Sequence, residues 1–377
     1  MTEYIKRIVA ELVKKKCFQK KAVIVLGPRQ VGKTTMMRHI IKEQNIPYLH
    51  LNGDEADVRE LLSNTTSTQL RHIIGSHRLL FIDEAQRINN IGVSIKLITD
   101  QIPNVQVIVT GSSSLELSSA INEPLTGRKY EYYLYPLSFQ EMVLHHGILE
   151  EKRLLQHRLI YGYYPEIVTS IGQEKELLTF LSDSYLYKDI ILLGDVHKPA
   201  LLYKILKALA LQIGSEISYN ELGQLVNSSP QTVEKYINLL ENTFVIFQLS
   251  AYSKNVRNEI RKGKKMYFYD NGIRNAILGN FNPLQQRTDL GALWENFLIS
   301  ERVKFLSSQT TKIDSYFWRT TQQQEIDYIE VEGNNICAFE FTWNPKVKKK
   351  ISKTFTMAYP HASTKIITSN NFEEFIC

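Results

Sequence analysis

The sequence predicts an α/β protein that opens with a parallel sheet and continues into helical and α+β segments. Three observations carry that expectation. The run Ala22-Val23-Ile24-Val25-Leu26 is apolar and largely β-branched, as a strand buried on both faces would be. It runs directly into Gly27-Pro28-Arg29-Gln30-Val31-Gly32-Lys33-Thr34, followed by Thr35, after which Met36, Met37, Ile40 and Ile41 recur at helical spacing. Further apolar runs, Leu79 to Ile82 and Val105 to Val109, each end in polar residues, as strands of an open sheet do when a site lies at their carboxyl ends.

Composition sets the bounds. With 377 residues the chain is too long for one small core, and two or three domains are expected. Hydrophobic residues at 43% and charged residues at 22% describe an ordinary globular protein. A formal net charge of +6 permits an anionic partner without requiring one. Cys17, Cys337 and Cys377 show no paired spacing, which argues against a disulfide framework or zinc site and suits a reducing, cytoplasmic setting. No apolar run approaches the roughly 18 residues of a membrane span, and the N-terminus lacks a signal-peptide layout.

Residues 3–16 read as an amphipathic helix. Ile5, Ile8, Val9 and Leu12 share one face, and Lys6, Arg7, Lys14, Lys15 and Lys16 cover the rest. A helix packed on the sheet, with a solvated basic side, is expected in preference to a membrane-binding one. Gly27 to Thr34 then fits the pattern G-x-x-x-x-G-K-[ST] without mismatch, between a strand and a helix, where it cradles phosphates. The glycines allow close backbone approach, and amides and helix dipole face the anion. Lys33 would reach the β- and γ-phosphates, and the Thr34 hydroxyl would ligate Mg²⁺.

Pro47 to Asn52 reads as a second strand, and residues 56–75 carry helical periodicity. The strand from Leu79 ends in Asp83-Glu84-Ala85-Gln86. Asp83 would join the Mg²⁺ shell, directly or through water, and Glu84 would serve as general base toward an attacking water. Thr110 closes the next strand, before Gly111-Ser112-Ser113-Ser114. That polar cluster could touch the γ-phosphate, orient the water or cap a helix. Arg128, in Leu125-Thr126-Gly127-Arg128 ahead of a strand from Tyr130 to Leu137, is either a surface residue or an arginine finger for its own or a neighbouring subunit's phosphate.

Taken together, Gly27 to Thr35, Phe81-Ile82-Asp83-Glu84-Ala85-Gln86, Thr110-Gly111-Ser112-Ser113 and Leu125 to Arg128 resemble the AAA-type P-loop ATPase core of a large prokaryotic family with an uncharacterised C-terminal region. The resemblance implies ATP and Mg²⁺ as ligands, Glu84 as the catalytic glutamate, and a parallel sheet of order 5-1-4-3-2 within residues 1–137. It also implies a lid-like helical region over 138–200, where Gly162-Tyr163-Tyr164-Pro165-Glu166 resembles a small family motif.

From 201 to 285 the pattern is three helices and two strands, a winged-helix layout. The helices are Leu201 to Ile213, one capped by Ser218, and Gln231 to Leu240. The strands are Phe244 to Ser250 and Lys265 to Tyr269. Lys254, Arg257, Arg261, Lys262 and Lys264 would form a basic wing, whereas Gln231, Glu234, Lys235 and Asn238 make the third helix mixed. DNA reading and protein or oligomer contact both stay open. Residues 286–377 read as α+β and resemble a restriction-endonuclease-like fold. That resemblance makes Glu295, Asp327 and Glu340 a possible vestigial metal site. Thr342 stands where active members carry lysine, so impaired chemistry and no substantial DNA cleavage are expected.

The expected activity is Mg-dependent ATP hydrolysis coupled to binding of DNA or a protein partner through the C-terminal half, with no membrane association and a possible homo-oligomer. A slow ATP switch acting as a DNA-binding regulator and an ATP-gated nuclease are the alternatives. A simple nucleotide kinase would not need so long a chain.

Overall fold

The computed structural model describes residues 4–112, 124–193, 196, 198–253, 263–309 and 311–377, with backbone alone over 184–193. The chain divides into two compact units, Met1–Leu137 with Asn242–Phe244, and Ser138–Glu241 with Val245–Cys377. No helix among the described residues is long and apolar enough to cross a membrane.

In the first unit, β1 (Ala22–Leu26), β2 (Tyr48–Asn52), β3 (Leu79–Asp83), β4 (Gln106–Gly111) and β5 (Lys129–Tyr133) form a parallel sheet of order β2-β3-β4-β1-β5. Read from the other edge this is 5-1-4-3-2, the order expected for a P-loop ATPase core. β1, β3 and β4 are buried along their whole length, which explains their uninterrupted apolar runs. Leu26 pairs with Gly111 and Tyr133, and Asn52 with Asp83. The register thus brings the loops after β1, β3 and β4 to one end of the sheet, where ligands bind in open α/β folds.

The helix Lys33–Gln44 buries Met36, Met37, Ile40 and Ile41 and stops at Asn45, whose left-handed backbone suits a helix end. The single periodic segment expected over 56–75 is two helices, Ala56–Leu62 and Ser67–Ile74. Thr66 starts the second with a capping box, its hydroxyl accepting from the Gln69 amide while the Gln69 side chain accepts from the Thr66 amide. The first helix runs Ile8–Lys16, shorter than expected, because Arg7 is extended and buried.

The second unit carries helices followed by a seven-stranded mixed sheet. Its strands are β6 (Glu216–Ile217), β7 (Ile246–Ala251), β8 (Lys264–Phe268), β9 (Asp314–Arg319), β10 (Glu325–Glu332), β11 (Asn335–Phe341) and β12 (Ser363–Ile367). They lie in the order β12-β11-β10-β9-β7-β8-β6. The boundary expected near 285 therefore does not interrupt the sheet. β7 pairs parallel with β9 through Ser250 and Tyr316, and the Tyr252 amide donates to Phe317 O at 2.7 Å. The helix Leu290–Ser307 packs against β8 and is buried from Leu293 to Glu301 on every side except at Glu295, which is why its sequence shows so little amphipathic contrast. Asn296 locks it to β8, accepting from the Phe268 amide at 2.7 Å and donating to Phe268 O at 3.1 Å.

The motif at Gly162 is a structural clamp. Asp270 accepts from the Tyr163 amide at 2.7 Å and from the Ile273 amide at 3.1 Å, capping the helix Asn271–Leu278. A Cβ at Gly162 would stand 2.1 Å from Asp270 Oδ1, so only glycine fits. Of the expected basic wing, Lys254, Arg257, Arg261 and Lys262 lie outside the described residues, and Lys264 begins β8 as an exposed residue.

Candidate active site

The loop Gly27–Thr34 joins the carboxyl end of β1 to the helix Lys33–Gln44. Its shape depends on two glycines. A Cβ at Gly27 would stand 1.9 Å from Leu134 O, and Gly32 has φ 89 at the helix start. The helix N-terminus therefore opens into the loop with its amides free of side-chain caps, as an anion site requires. The buried Lys33 ammonium donates to Gly27 O at 2.8 Å and Pro28 O at 2.7 Å. Burial pushes its pKa down to about 8, although Glu84 and Asp83 pull the other way. Arg7 pins the loop from beneath, donating to Val31 O at 2.6 Å and to Tyr135 O. The periodicity of residues 3–16 assigned Arg7 to a solvated face. Its burial corrects that, and nothing in the spacing signalled it.

Thr34 Oγ1 donates to Asp83 Oδ2 at 2.7 Å, and Thr110 Oγ1 donates to Asp83 Oδ1. Three segments distant in sequence thus converge on one carboxylate. A hydroxyl and a carboxylate at this separation, beside the uncapped start of the helix, are the hard oxygen donors that suit Mg²⁺ held jointly with phosphates. His50 stacks on Phe81 with centroids 4.7 Å apart, and its Nε2 lies 4.0 Å from Asp83 Oδ2. Burial lowers the His50 pKa, so its ring stays neutral at pH 7.

Glu84 follows with a left-handed backbone, φ 48, at the start of the turn Ala85–Arg87. Gly53 makes room for it, since a Cβ there would lie 2.4 Å from Glu84 O. Gln86 Nε2 donates to Glu84 Oε2 at 2.6 Å and to Ser112 Oγ at 2.9 Å, and Ser112 Oγ donates to Glu84 Oε2 at 3.3 Å. Sequence reasoning quoted Gln86 as part of a motif without giving it a role. Its position two residues past the carboxylate, across a tight turn, was the available signal. Ser113 and Ser114 lie outside the described residues.

The structure does not bring Arg128 to the loop. The Ala22 amide donates to Arg128 O, so Arg128 sits at the amino end of β1, while the loop follows Leu26 at its other end. Five strand residues, roughly 16 Å, separate the two ends. Its guanidinium donates to Asp100 at 2.7 Å.

In the second unit the three acids do not form one cation site. Among the described residues, no group of three His, Cys, Asp or Glu side chains is placed to hold a metal ion. Glu295 accepts from Tyr267 OH at 2.6 Å and faces Lys265 at 3.4 Å. Asp327 and Glu340 share Lys349, whose ammonium lies 2.5 Å from Asp327 Oδ2 and 2.6 Å from Glu340 Oε2. The positive charge expected to be missing at Thr342 is therefore supplied from seven residues further on, where no register pointed. Burial, with Asp327 beside it, pushes Glu340 up to about 8.

Comparison with known proteins bears on the domains of the chain rather than on this geometry. Residues 19–143 match the family described as AAA domain, residues 152–284 a domain of unknown function, DUF8612, and residues 290–375 another, DUF4143. The chain thus carries an AAA domain followed by two C-terminal domains of unknown function. An uncharacterized protein of Mycobacterium tuberculosis is 27% identical over 323 residues, 82% of this chain and 68% of that one. One of Haemophilus influenzae is 26% identical over 353 residues, 85% of this chain and 83% of that one. Among solved structures, the RuvB Holliday junction branch migration motor of Thermotoga maritima is similar over 65% of this chain and 90% of its own, at 17% identity and a TM-score of 0.32.

Proposed function

We propose that the chain binds ATP with Mg²⁺ through Gly27 to Thr35, Asp83 and Thr110, and hydrolyses it with Glu84 as general base. Its nucleotide state is coupled to binding of DNA or a protein partner through the second unit. The observation that supports this most is the 2.7 Å approach of Thr34 Oγ1 to Asp83 Oδ2 beside the Lys33 ammonium, at the carboxyl end of a parallel sheet. Loop amides and the helix start hold the phosphates, and Lys33 turns from its two carbonyls to the β- and γ-oxygens. Thr34 and Asp83 would hold Mg²⁺, which would supply charge neutralisation at the phosphates. Glu84 takes the proton of the attacking water. Arg128 serves a neighbouring copy, in keeping with its distance from its own loop, and so requires a homo-oligomer.

Trapping tests the coupling. Glu84→Gln, in which hydrolysis should be slowed with ATP binding kept, should retain DNA or a protein partner in a pull-down with ATP and Mg²⁺ that the nucleotide-free protein does not retain. Equal retention with and without ATP would separate the two halves functionally.

A nuclease reading of the second unit has one observation in its favour, the Lys349 ammonium beside two acids. That ammonium also occupies the oxygens of the two acids that would have to hold the metal. No Mg²⁺- or Mn²⁺-dependent nicking of plasmid is expected from the wild type. Nicking that disappears in Asp327→Ala would establish the nuclease instead.

A further inference from the structure

We infer that Gln86 is a positioning residue for hydrolysis, holding one oxygen of Glu84 while offering its own carbonyl oxygen to the attacking water. The inference rests on Glu84 being the general base. Both amide hydrogens of Gln86 are used, one on Glu84 Oε2 at 2.6 Å and one on Ser112 Oγ at 2.9 Å. The Ser112 hydroxyl donates to the same Glu84 Oε2 at 3.3 Å. The carboxylate fixes the amide's orientation, because an ionised carboxylate only accepts and the near atom of Gln86 must be its NH₂.

Two consequences follow. Glu84 Oε2 is occupied by two donors, which leaves Oε1 to take a proton. Gln86 Oε1 is buried and has no hydrogen-bond partner. A buried amide oxygen without a donor is costly in a folded protein unless a ligand or water supplies one. The left-handed backbone of Glu84 and the turn Ala85–Arg87 are what bring residue 86 back beside residue 84, and strained backbone of this kind gathers at working sites.

In the resulting step, the water oxygen bonds to the γ-phosphorus as the bond from that phosphorus to the bridging β–γ oxygen breaks, giving ADP and inorganic phosphate. One water proton passes to Glu84 Oε1. The other hydrogen stays on the oxygen and points at Gln86 Oε1. Gln86 thus restricts both the base and the nucleophile to one geometry.

The test uses the full chain, with Gln86→Leu, Gln86→Met and Ser112→Ala made in wild-type and Glu84→Gln backgrounds. Steady-state hydrolysis, ATP affinity by calorimetry and thermal melting are measured for each. Gln86→Leu should lower kcat roughly tenfold to hundredfold, with KM and ATP affinity within about twofold of wild type. Ser112→Ala, which removes one donor and leaves the water acceptor, should cost less. In the Glu84→Gln background, Gln86→Leu should cost less than it does in wild type, because the part of its effect that passes through Glu84 is already lost and only its contact with the water remains. If Gln86→Leu melts early, Gln86→Met, which keeps the chain length, is read in its place. Unchanged kcat in both Gln86 variants, or an equal loss in both backgrounds, overturns the inference and leaves Glu84 as base. Wild-type turnover in Glu84→Gln itself overturns the underlying reading.

Discussion

Each unit sets a buried or half-buried lysine among carboxylates, and the two lysines do opposite things. Lys33 rests on the backbone oxygens of Gly27 and Pro28, and burial pulls its pKa down to about 8. Lys349 rests on the side chains of Asp327 and Glu340, and these contacts, Asp327 first, outweigh burial and hold it above the ordinary lysine value. A lysine held on neutral carbonyls keeps its charge available for an incoming anion. A lysine already paired with two acids has its charge committed within the fold. Lysine and acid close together therefore do not define a site until it is known what the ammonium touches.

The contrast can be broken most sharply at the base. Glu84→Gln should retain ATP binding and lose roughly two orders of magnitude or more in steady-state turnover. Wild-type turnover would remove the catalytic difference between the units. Lys33→Ala should weaken ATP binding by ~2–3 kcal/mol, the scale of a hydrogen bond to a charged group, whereas Lys349→Ala should leave that affinity unchanged in the same calorimeter. Lys349→Ala should instead lower the stability of the second unit by about 1–2 kcal/mol in denaturant unfolding, less than a fully buried pair would because Lys349 is partly exposed. No change would mean that Lys349 is not a structural cation.

The smallest effect is in pH. ATP binds the ammonium form of Lys33, and phosphate contacts raise its pKa in the complex. Affinity should therefore be full below about pH 8 and decline as pH rises above it, approaching tenfold per unit. In Lys33→Met the decline should vanish. Its persistence would trace it to another group.

The first unit was legible because its signals are local. Gly27, Gly32, Lys33 and Thr34 lie within eight residues, and Asp83 and Glu84 are adjacent at the end of an apolar run. Their spacing alone puts them at strand ends. The long-range supports were not legible. Arg7 reaches Val31 from 24 residues away, and Gly53 yields to Glu84 across a strand pair. Helical periodicity averages such residues into a face. In the second unit, the endonuclease-like pattern led to an expected lysine two residues after Glu340, yet the cation arrives from Lys349 after an irregular stretch that no period describes. β12 was not anticipated because Ser363, Thr364 and Lys365 lack the apolar alternation of a strand, although they sit on a sheet edge where polar residues are tolerated.

The parallel pairing of β7 with β9 has a bearing on how this chain can be divided or inherited. Severing it near 285 would leave β7 paired with β8 alone in one fragment and β9 paired with β10 alone in the other. Each fragment would then carry a raw row of amides and carbonyls, ready to pair with any extended strand it met, including another copy of itself. Halves produced separately should clump, and only halves produced together should stay soluble. A recombination event that shuffled either half alone would deliver the same liability to its new host. Selection is therefore expected to pass the two segments on as a single piece.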